Sequence, residues 1–289
     1  MKRIFWLLTL LSAVLLSATA APAAEQFNII NGRPMLGTKI TSLPYPINDP
    51  GYYWVASNLS YSGGDGITVS ANNVTIDLMG FVLTGPSSSS TYYAGISISG
   101  RSNVEVRNGT VTGWAYGVYG SGSNLRVIGV RARDNTYAIN LGGTGHLIKN
   151  CMASQGSFGT GWGIAIGQGT ISNCLAMNFS AIYGGLNNDS GGTITGSMVL
   201  NCPTIKGVYT GGATTISYNS IYGGTTGISA EGSGSVIGNL VTTASGQTGI
   251  SPSTNTIFPN LVDQNTVSGA GTPYGAGSGA TAWGINGGR

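Results

Sequence analysis

Charged residues are scarce in this sequence. Asp, Glu, Lys and Arg together make up 7% of the 289 residues, whereas an ordinary globular domain contains about 25%. Disordered chains combine high charge with few apolar residues, and this chain is 41% hydrophobic, so an intrinsically disordered protein is excluded. The net charge is only +3 and includes Lys2 and Arg3 at the start of the chain. A nucleic acid or another polyanionic partner is therefore not indicated.

Histidine and cysteine are also scarce, which removes several kinds of site. The single His146 excludes an HExxH motif or a poly-histidine metal site, and we expect it to be a partly buried strand residue bonded to the backbone. The chain has no CxxC pair, no GxSxG elbow, no P-loop and no GGxGxD calcium repeat. We therefore expect neither a metal nor a cofactor. Cys151 and Cys174 lie 23 residues apart, and buried free thiols are favoured over a disulfide between them.

The chain begins with the three regions of a secretory signal peptide. Lys2 and Arg3 precede an apolar run from Ile4 to Leu16, and small residues follow up to Ala24. We assign residues 1–23 to the signal peptide and expect an exported protein, periplasmic or extracellular. No later stretch approaches the roughly 18 apolar residues of a membrane span, so we expect none in the mature chain.

Glycine, in contrast, is abundant, with 49 residues, and it marks an internal repeat. A small residue followed by Ile or Val recurs nine times, about 23 residues apart on average. A period in this range is typical of a solenoid. The nine marks are Gly66-Ile67, Gly95-Ile96, Gly117-Val118, Ala138-Ile139, Gly163-Ile164, Ala181-Ile182, Gly207-Val208, Gly227-Ile228 and Gly249-Ile250.

Each repeat contains short runs in which apolar residues alternate with polar ones. Examples are Ile96-Ser97-Ile98, Val104-Glu105-Val106 and Thr110-Val111-Thr112, and such alternation indicates strands. Helical periodicity is missing after the leader, so parallel strands can pair only with the same strand of the next repeat. The sequence predicts an all-β fold, a single-stranded parallel β-helix (solenoid) of about nine three-strand coils.

A second column of residues supports this register, because Asn and Gly recur after the second strand of each coil. Both residues tolerate the left-handed backbone conformation, so we expect a turn of that kind there. The predicted column consists of Asn108, Gly129, Asn150, Asn173, Gly196, Asn239 and Asn260, with Asn219 fitting only after a one-residue shift.

The first repeats resemble a known group of proteins. Gly66-Ile67-Thr68-Val69 and Asn73-Val74-Thr75-Ile76-Asp77-Leu78, preceded by Leu43-Pro44-Tyr45 and Pro50-Gly51-Tyr52-Tyr53, are similar to the opening of secreted bacterial right-handed parallel β-helix repeat proteins of the pectate-lyase-like superfamily. The resemblance covers residues 38–265 and implies a right-handed coil. Its members include pectin-degrading enzymes, adhesins, phage tailspikes and periplasmic accessory proteins, so it does not specify a function.

The repeat also suggests how the chain is divided. Residues 24–64 do not follow the pattern and are expected to form an N-terminal cap, because an uncovered terminal coil exposes a strand edge. The parallel β-helix is expected over residues 65–269, and the Gly-rich residues 270–289 as a C-terminal cap or tail. Residues 187–192 are interpreted as an inserted loop.

One group of charged residues falls on the early coils. It comprises Asp77, Glu105, Arg107, Arg126, Arg131, Arg133, Asp134 and Lys149. The resemblance implies enzymes that use such acids and bases, so Glu105, Arg107, Arg126 and Lys149 are candidate catalytic residues of a polysaccharide lyase or glycoside hydrolase acting on an acidic polysaccharide. The alternative is a surface salt-bridge ladder, which contributes about 0 to 1 kcal/mol per pair.

Aromatic residues form the other candidate site. On the first strand of each coil the residue after the inward Ile or Val points outward, which applies to Tyr119, Tyr183 and Tyr209, and the aromatic residues just before that strand are Tyr116, Tyr137 and Trp162. Such a strip could stack on sugar rings, or it could pack on itself. The sequence favours an exported, non-catalytic protein that binds a polysaccharide or cell-surface glycan, or serves as a surface, matrix or assembly component.

Overall fold

The computed structural model describes residues 37–87, 92–155, 161–179, 184–203, 206–232, 234–252 and 260–275, and the backbone of two short strands, Ala282–Trp283 and Gly287–Gly288. The expected signal peptide and Tyr183 lie outside these residues. Every described strand pairs in parallel with the corresponding strand of a neighbouring coil, and each coil contributes strands to three columns. The chain is an all-β, right-handed parallel β-helix, as predicted.

Column 1 contains the strands that carry the Gly-Ile marks. Its described strands are Tyr45–Ile47, Ile67–Val69, Ala94–Ser102, Tyr116–Ser123, Tyr137–Thr144, Ile164–Ile166, Leu186–Asn188, Lys206–Thr210, Thr226–Ala230, Thr248–Pro252 and Thr272–Tyr274.

Column 2 follows after the first turn of each coil. Its described strands are Thr38–Ile40, Gly51–Val55, Val74–Asp77, the first part of Val104–Thr112, the first part of Arg126–Arg133, His146–Lys149, Gly169–Ser172, Gly192–Thr195, Thr214–Ser217, Gly234–Ile237, Asn260–Asp263 and Ala282–Trp283.

Column 3 completes each coil. Its described strands are Leu59–Ser60, Val82–Thr84, the last parts of Val104–Thr112 and Arg126–Arg133, Met152–Ser154, Leu175–Met177, Met198–Leu200, Ser220–Tyr222, Leu240–Thr242, Thr266–Ser268 and Gly287–Gly288.

The core of the solenoid is a stack of inward-facing aliphatic side chains. In column 1 these include Ile164, Leu186 and Val208, which lie in register and are fully buried. The glycine before each of them has a steric reason. A Cβ atom on Gly185 would lie 2.8 Å from Cγ1 of Val199 in column 3, closer than packed atoms approach, so the mark records a place where two columns meet tightly.

One of the nine predicted marks is wrong. The strand of the sixth coil begins at Leu186 and follows Gly185, not Ala181-Ile182, and Leu186 pairs with Ile164 on one side and Val208 on the other. With this correction the steps from Gly163 to Gly185 and from Gly185 to Gly207 are 22 residues each. The predicted insert at residues 187–192 is likewise wrong, because these residues belong to two paired strands and the turn between them.

Parallel pairing also extends beyond the expected limits of the β-helix, residues 65–269. Tyr45–Ile47 pairs with Ile67–Val69, and Thr272–Tyr274 pairs with Thr248–Pro252. The stack therefore includes part of the segment predicted to be an N-terminal cap and part of the predicted C-terminal cap or tail. The prolines of the N-terminal segment obscured its alternation in the sequence.

The left-handed turn after column 2 is present, with some changes of residue. Asn108, Gly129, Asn150, Asn173 and Gly196 have φ values between 52° and 63°, as predicted. Further along, Tyr218, Gly238 and Gln264 take this conformation. Asn219 follows it by one position, as expected, whereas the predictions for Asn239 and Asn260 are wrong: Asn239 also follows by one position, and Asn260 begins a strand.

The residues after this turn point into the solenoid and stack in their own column. From one coil to the next they are Cys151, Cys174, Ser197, Asn219, Asn239 and Asn265, and each is at most 3% exposed. The three asparagines bond along the stack: Nδ2 of Asn219 donates to Oδ1 of Asn239, and Nδ2 of Asn239 donates to Oδ1 of Asn265. Polar side chains are stable in this core because their amides are hydrogen-bonded.

The three cysteines are free and buried, in agreement with the prediction of free thiols. The thiol of Cys151 donates to the carbonyl of Val127, and that of Cys174 donates to the carbonyl of Ile148. The adjacent Cys174 thiol and burial raise the pKa of Cys151. A protonated, buried thiol is a poor nucleophile, so these residues belong to the core.

Candidate functional site

The charged residues of the early coils form a chain of ion pairs on column 2. Nε of Arg107 lies 2.8 Å from Oδ2 of Asp77, and Glu105 bridges Arg107 and Arg126 at 3.2 and 3.0 Å. Lys149 stands two coils from Arg107, and Ile128 occupies the position between them. The structure thus brings Glu105, Arg107 and Arg126 together with Asp77 and leaves Lys149 apart. This geometry is that of the salt-bridge ladder.

Asp77 is the buried member of this ladder, with 4% of its surface exposed. Burial by itself raises the pKa of a carboxyl group, but the backbone N–H of Met79 and the side chains of Arg107 and Asn108 outweigh it, and the pKa of Asp77 lies below its usual value. Tyr52 also donates its hydroxyl to this carboxylate. Asp77 is therefore held as an ion by groups that would have to separate for it to react.

The predicted aromatic strip lies on column 1. Tyr116 and Tyr137 are in register, and their rings stack 4.7 Å apart with 12° between the planes. The ring of Tyr119 is tilted against Tyr116 at 4.9 Å, and 38% of Tyr119 is exposed. Because Tyr116 and Tyr137 cover one another, their facing surfaces are closed to a sugar, and Tyr119 presents the more accessible ring.

The strip leads along column 1 to a position that sequence reasoning assigned incorrectly. The outward position after Tyr119 is occupied coil by coil by Asn140, Ala165, Asn187 and Tyr209. Asn187 thus takes the place predicted for Tyr183. On the neighbouring position the sequence of residues is Tyr116, Tyr137, Trp162, Gly184 and Lys206, as the same pairings require.

A cleft of about 530 Å³ opens on column 1 at the far end of this strip. Its walls include Trp162, Asn187, Asp189, Lys206, Tyr209 and Glu231. Two aromatic rings and four polar or charged side chains therefore face one space. Such a mixture of apolar walls and a few converging polar groups is typical of a small-molecule or sugar site.

Glu231 is the centre of a hydrogen-bonded network in the cleft. Its carboxylate accepts from Nζ of Lys206 at 2.6 Å and from the hydroxyl of Tyr209 at 3.1 Å. Partial burial raises the pKa of a carboxyl, but Lys206, Tyr209 and Ser229 outweigh it and lower the pKa of Glu231. The ammonium group of Lys206 also lies over the Tyr209 ring, 4.3 Å from its centre. Glu231 is therefore held in the ionised form.

Asp189 has the opposite tendency. Partial desolvation by the cleft walls raises the pKa of its carboxyl above the usual value, although contact with Asn187 works in the other direction. Asn187 itself is 1% exposed, and its Oδ1 atom has no hydrogen-bond partner. A buried carbonyl oxygen without a donor is costly, and a ligand hydroxyl in the cleft would satisfy it.

Asp189 and Glu231 occupy equivalent places in the repeat. Asn188 pairs with Thr210, and Thr210 pairs with Ala230, so the next residues of these coils, Asp189, Gly211 and Glu231, follow one another along the stack. The two acidic residues are thus two coils apart, and a glycine lies between them. The sequence analysis missed them because the misplaced sixth coil put Asp189 in an insert.

The remaining candidates have structural roles in the described part of the chain. His146 is 2% exposed, its Nδ1 accepts the N–H of Leu125 at 3.2 Å, and its Nε2 lies 3.1 Å from the carbonyl of Gly142, which confirms the expected backbone-bonded residue. Among the described residues, no three His, Cys, Asp or Glu side chains form a group able to hold a metal ion. Within the same ranges, no helix is long and apolar enough to cross a membrane.

Two solved structures are similar to this chain in fold. The Dettilon tailspike protein (gp208) matches with a TM-score of 0.66 and 17% identity over 86% of this chain, which spans only 61% of the tailspike chain. The periplasmic alginate epimerase AlgG matches with a TM-score of 0.56 and 14% identity over 83% of this chain and 75% of the epimerase. No protein-family model matches the chain, and no curated protein has a similar sequence. At these identities the likeness establishes the parallel β-helix alone.

Proposed function

We propose that this right-handed parallel β-helix protein binds a polysaccharide along column 1, in the cleft lined by Trp162, Asn187 and Tyr209. One observation carries the proposal: aromatic walls and an unpartnered, buried amide oxygen face the same open space. Sugars present both kinds of surface that such a site recognises, since their C–H faces pack on aromatic rings and their hydroxyls bond polar side chains.

The length of the surface supports an extended ligand. Tyr119 and Tyr209 occupy the same outward position four coils apart, which corresponds to about 19 Å along the solenoid at about 4.8 Å per coil. The predicted residues Tyr116, Tyr119, Tyr137, Trp162 and Tyr209 all lie along this line, whereas Tyr183 falls outside the described residues. A chain of several sugar units would span this surface.

The two structural neighbours are consistent with the proposal. One is a tailspike and the other an alginate epimerase, and alginate is a polysaccharide. The signal-peptide pattern of residues 1–23 supports export to the periplasm or beyond, where such ligands occur. A lyase or hydrolase for acidic polysaccharides at Glu105, Arg107, Arg126 and Lys149 has less support, since the first three are engaged in ion pairs.

Binding to a panel of soluble polysaccharides tests the proposal. The panel contains neutral chains (laminarin, galactomannan, xyloglucan and dextran) and acidic chains (alginate and polygalacturonate), measured by isothermal titration. Trp162→Ala should weaken binding about tenfold, because a well-placed aromatic contact contributes about 0.5 to 1.5 kcal/mol. Tyr222→Ala, which alters an aromatic residue on column 3, is the matched control. Equal binding by both variants, or no binding by the wild type, would refute the proposal.

A further inference from the structure

We propose that the column 1 cleft hydrolyses the glycosidic bond of an uncharged polysaccharide with inversion at the anomeric carbon, with Asp189 as general acid and Glu231 as general base. The inference rests on the proposed function, because the cleft must first bind the sugar chain. It adds a reaction, two catalytic residues and a substrate class to that function.

The spacing of the two acids supports inversion. Two coils separate Asp189 from Glu231 at one position of the repeat, which places their backbones about 9.6 Å apart at about 4.8 Å per coil. Inverting glycosidases hold their two carboxyl groups about 6.5 to 9.5 Å apart, whereas retaining enzymes need about 5 to 5.5 Å. The wider arrangement leaves room for a water molecule beside the sugar ring.

Gly211 keeps the space between the two acids open. It occupies the intermediate coil, and a Cβ atom there would lie 2.8 Å from the carbonyl oxygen of Asp189 and 3.7 Å from the hydroxyl of Tyr209. Any side chain at this position would therefore both collide with the neighbouring coil and project into the gap. The glycine permits close stacking of the coils and leaves the scissile bond a place between the carboxyl groups.

The reaction balances without a cofactor. Glu231 accepts a proton from water while the water oxygen bonds to the anomeric carbon. The bond between that carbon and the glycosidic oxygen breaks, and the oxygen takes the proton of Asp189. The products are two shorter sugar chains, one with a new reducing end of inverted configuration, and exchange with solvent returns both carboxyl groups to their starting states.

The surroundings of the two carboxyl groups suit these roles. Desolvation raises the pKa of Asp189, while Lys206, Tyr209 and Ser229 overcome desolvation and lower the pKa of Glu231. A pair of acids whose environments separate their pKa values is the usual basis for one acid and one base. The titratable groups that face this pair across the cleft are Lys206 and Tyr209.

The charges of the cleft favour an uncharged substrate. Lys206 is the one cationic side chain among its described lining residues, and its ammonium group is already paired with Glu231 at 2.6 Å. A uronic acid would bring another carboxylate beside Asp189 and Glu231 without a free cation to receive it. Like charges in such proximity are repulsive, so neutral polysaccharides should bind better than acidic ones.

The test compares wild type with Asp189→Asn and Glu231→Gln, which preserve shape and remove the acid and the base. Asp263→Asn, at an acidic residue on column 2, is the control. The neutral polysaccharides of the panel are incubated with each protein, new reducing ends are counted, and proton NMR identifies the first anomer formed. We expect each site variant to lose at least about 100-fold in kcat while binding is retained, and the control to keep full activity.

The outcomes separate this inference from the proposed function. Binding by the wild type without any new reducing ends overturns hydrolysis and leaves the binding proposal intact, whereas the absence of binding refutes both. Products that persist in Asp189→Asn and Glu231→Gln place catalysis elsewhere, and a first product of retained configuration contradicts the inverting geometry. Cleavage of alginate or polygalacturonate in preference to the neutral chains overturns the substrate class.

Discussion

Asn239 accepts two hydrogen bonds from Asn219 inside the solenoid: the backbone N–H of Asn219 lies 2.9 Å from Oδ1 of Asn239, and the Asn219 amide nitrogen lies 3.0 Å from the same atom. The amide of Asn239 in turn donates to the carbonyl of Ile216 and to Oδ1 of Asn265. The side chain of Asn239 thus links three successive coils through their turns. A buried network of this kind stabilises the fold only while every member has its partners.

Removal of the Asn239 amide should therefore be costly. Asn239→Ala leaves the backbone N–H of Asn219 and the carbonyl of Ile216 without these partners, and each buried unsatisfied group costs about 1 to 3 kcal/mol. We expect a fall in unfolding free energy of about 3 kcal/mol or more, visible as a lower urea midpoint. The control is Asn124→Gly on the exposed asparagine ladder, where glycine tolerates the positive φ. Equal midpoints for the two variants would show that burial of the ladder has no energetic effect.

The ion pair of Asp77 predicts how stability depends on acid. Its folded-state pKa is lowered, so its contribution is present above the unfolded value of about 3.9 and is lost as the pH falls through the lower folded value. Asp77→Asn should reduce the unfolding free energy at pH 7 by about 1 to 3 kcal/mol, the range for hydrogen bonds to charged groups. Denaturation curves should converge for wild type and variant near pH 2. A difference that is unchanged at low pH would contradict this linkage.

His146 provides a second pH dependence, at higher pH. Burial lowers its pKa although the Gly142 carbonyl favours the charged form, and protonation of Nδ1 would expel the N–H of Leu125. The folded state thus prefers the neutral ring, so stability is full above about pH 6.5 and declines as the pH falls from there toward the folded pKa. An NMR titration of the untagged protein follows this one imidazole directly. A ring that titrates at or above 6.5 would contradict the prediction.

How far the sequence carries the fold is clearest at Gly185 and Leu186. Eight of nine marks identified column 1 strands correctly, because glycine is required where a Cβ would strike the core and a branched aliphatic residue fills the space beside it. The search specified Ile or Val, however, and Ala181-Ile182 satisfied it four residues too early. Leucine fills the same space at position 186, so the pattern was narrower than the physical requirement.

That one shift also explains what was missed at the site. With the sixth coil misplaced, Tyr183 stood in the outward column instead of Asn187, and Asp189 fell in an apparent insert instead of in line with Glu231. The aromatic residues could be found because their types are distinctive, whereas an Asp and a Glu 42 residues apart become a pair only once the register is correct. The hydrogen bonds of Glu231 with Lys206 and Tyr209 depend on side-chain positions that no periodicity specifies.

The last prediction distinguishes a binding surface from a packing ladder within the aromatic strip. Tyr116 and Tyr137 stack on one another at 4.7 Å, so each contributes to the stability of the coils whether or not a sugar is present. Trp162 lies on the next coil and borders the cleft. Tyr137→Ala should therefore lower the unfolding free energy by about 0.5 to 1.5 kcal/mol beyond the loss of buried area and weaken glycan binding little, whereas Trp162→Ala should weaken binding about tenfold. Urea denaturation and isothermal titration on both variants measure the two effects separately. If Tyr137→Ala loses binding at unchanged stability, the tyrosine rings contact the sugar themselves and the binding surface extends along the whole strip; if Trp162→Ala changes stability alone, the cleft is not where the polysaccharide binds.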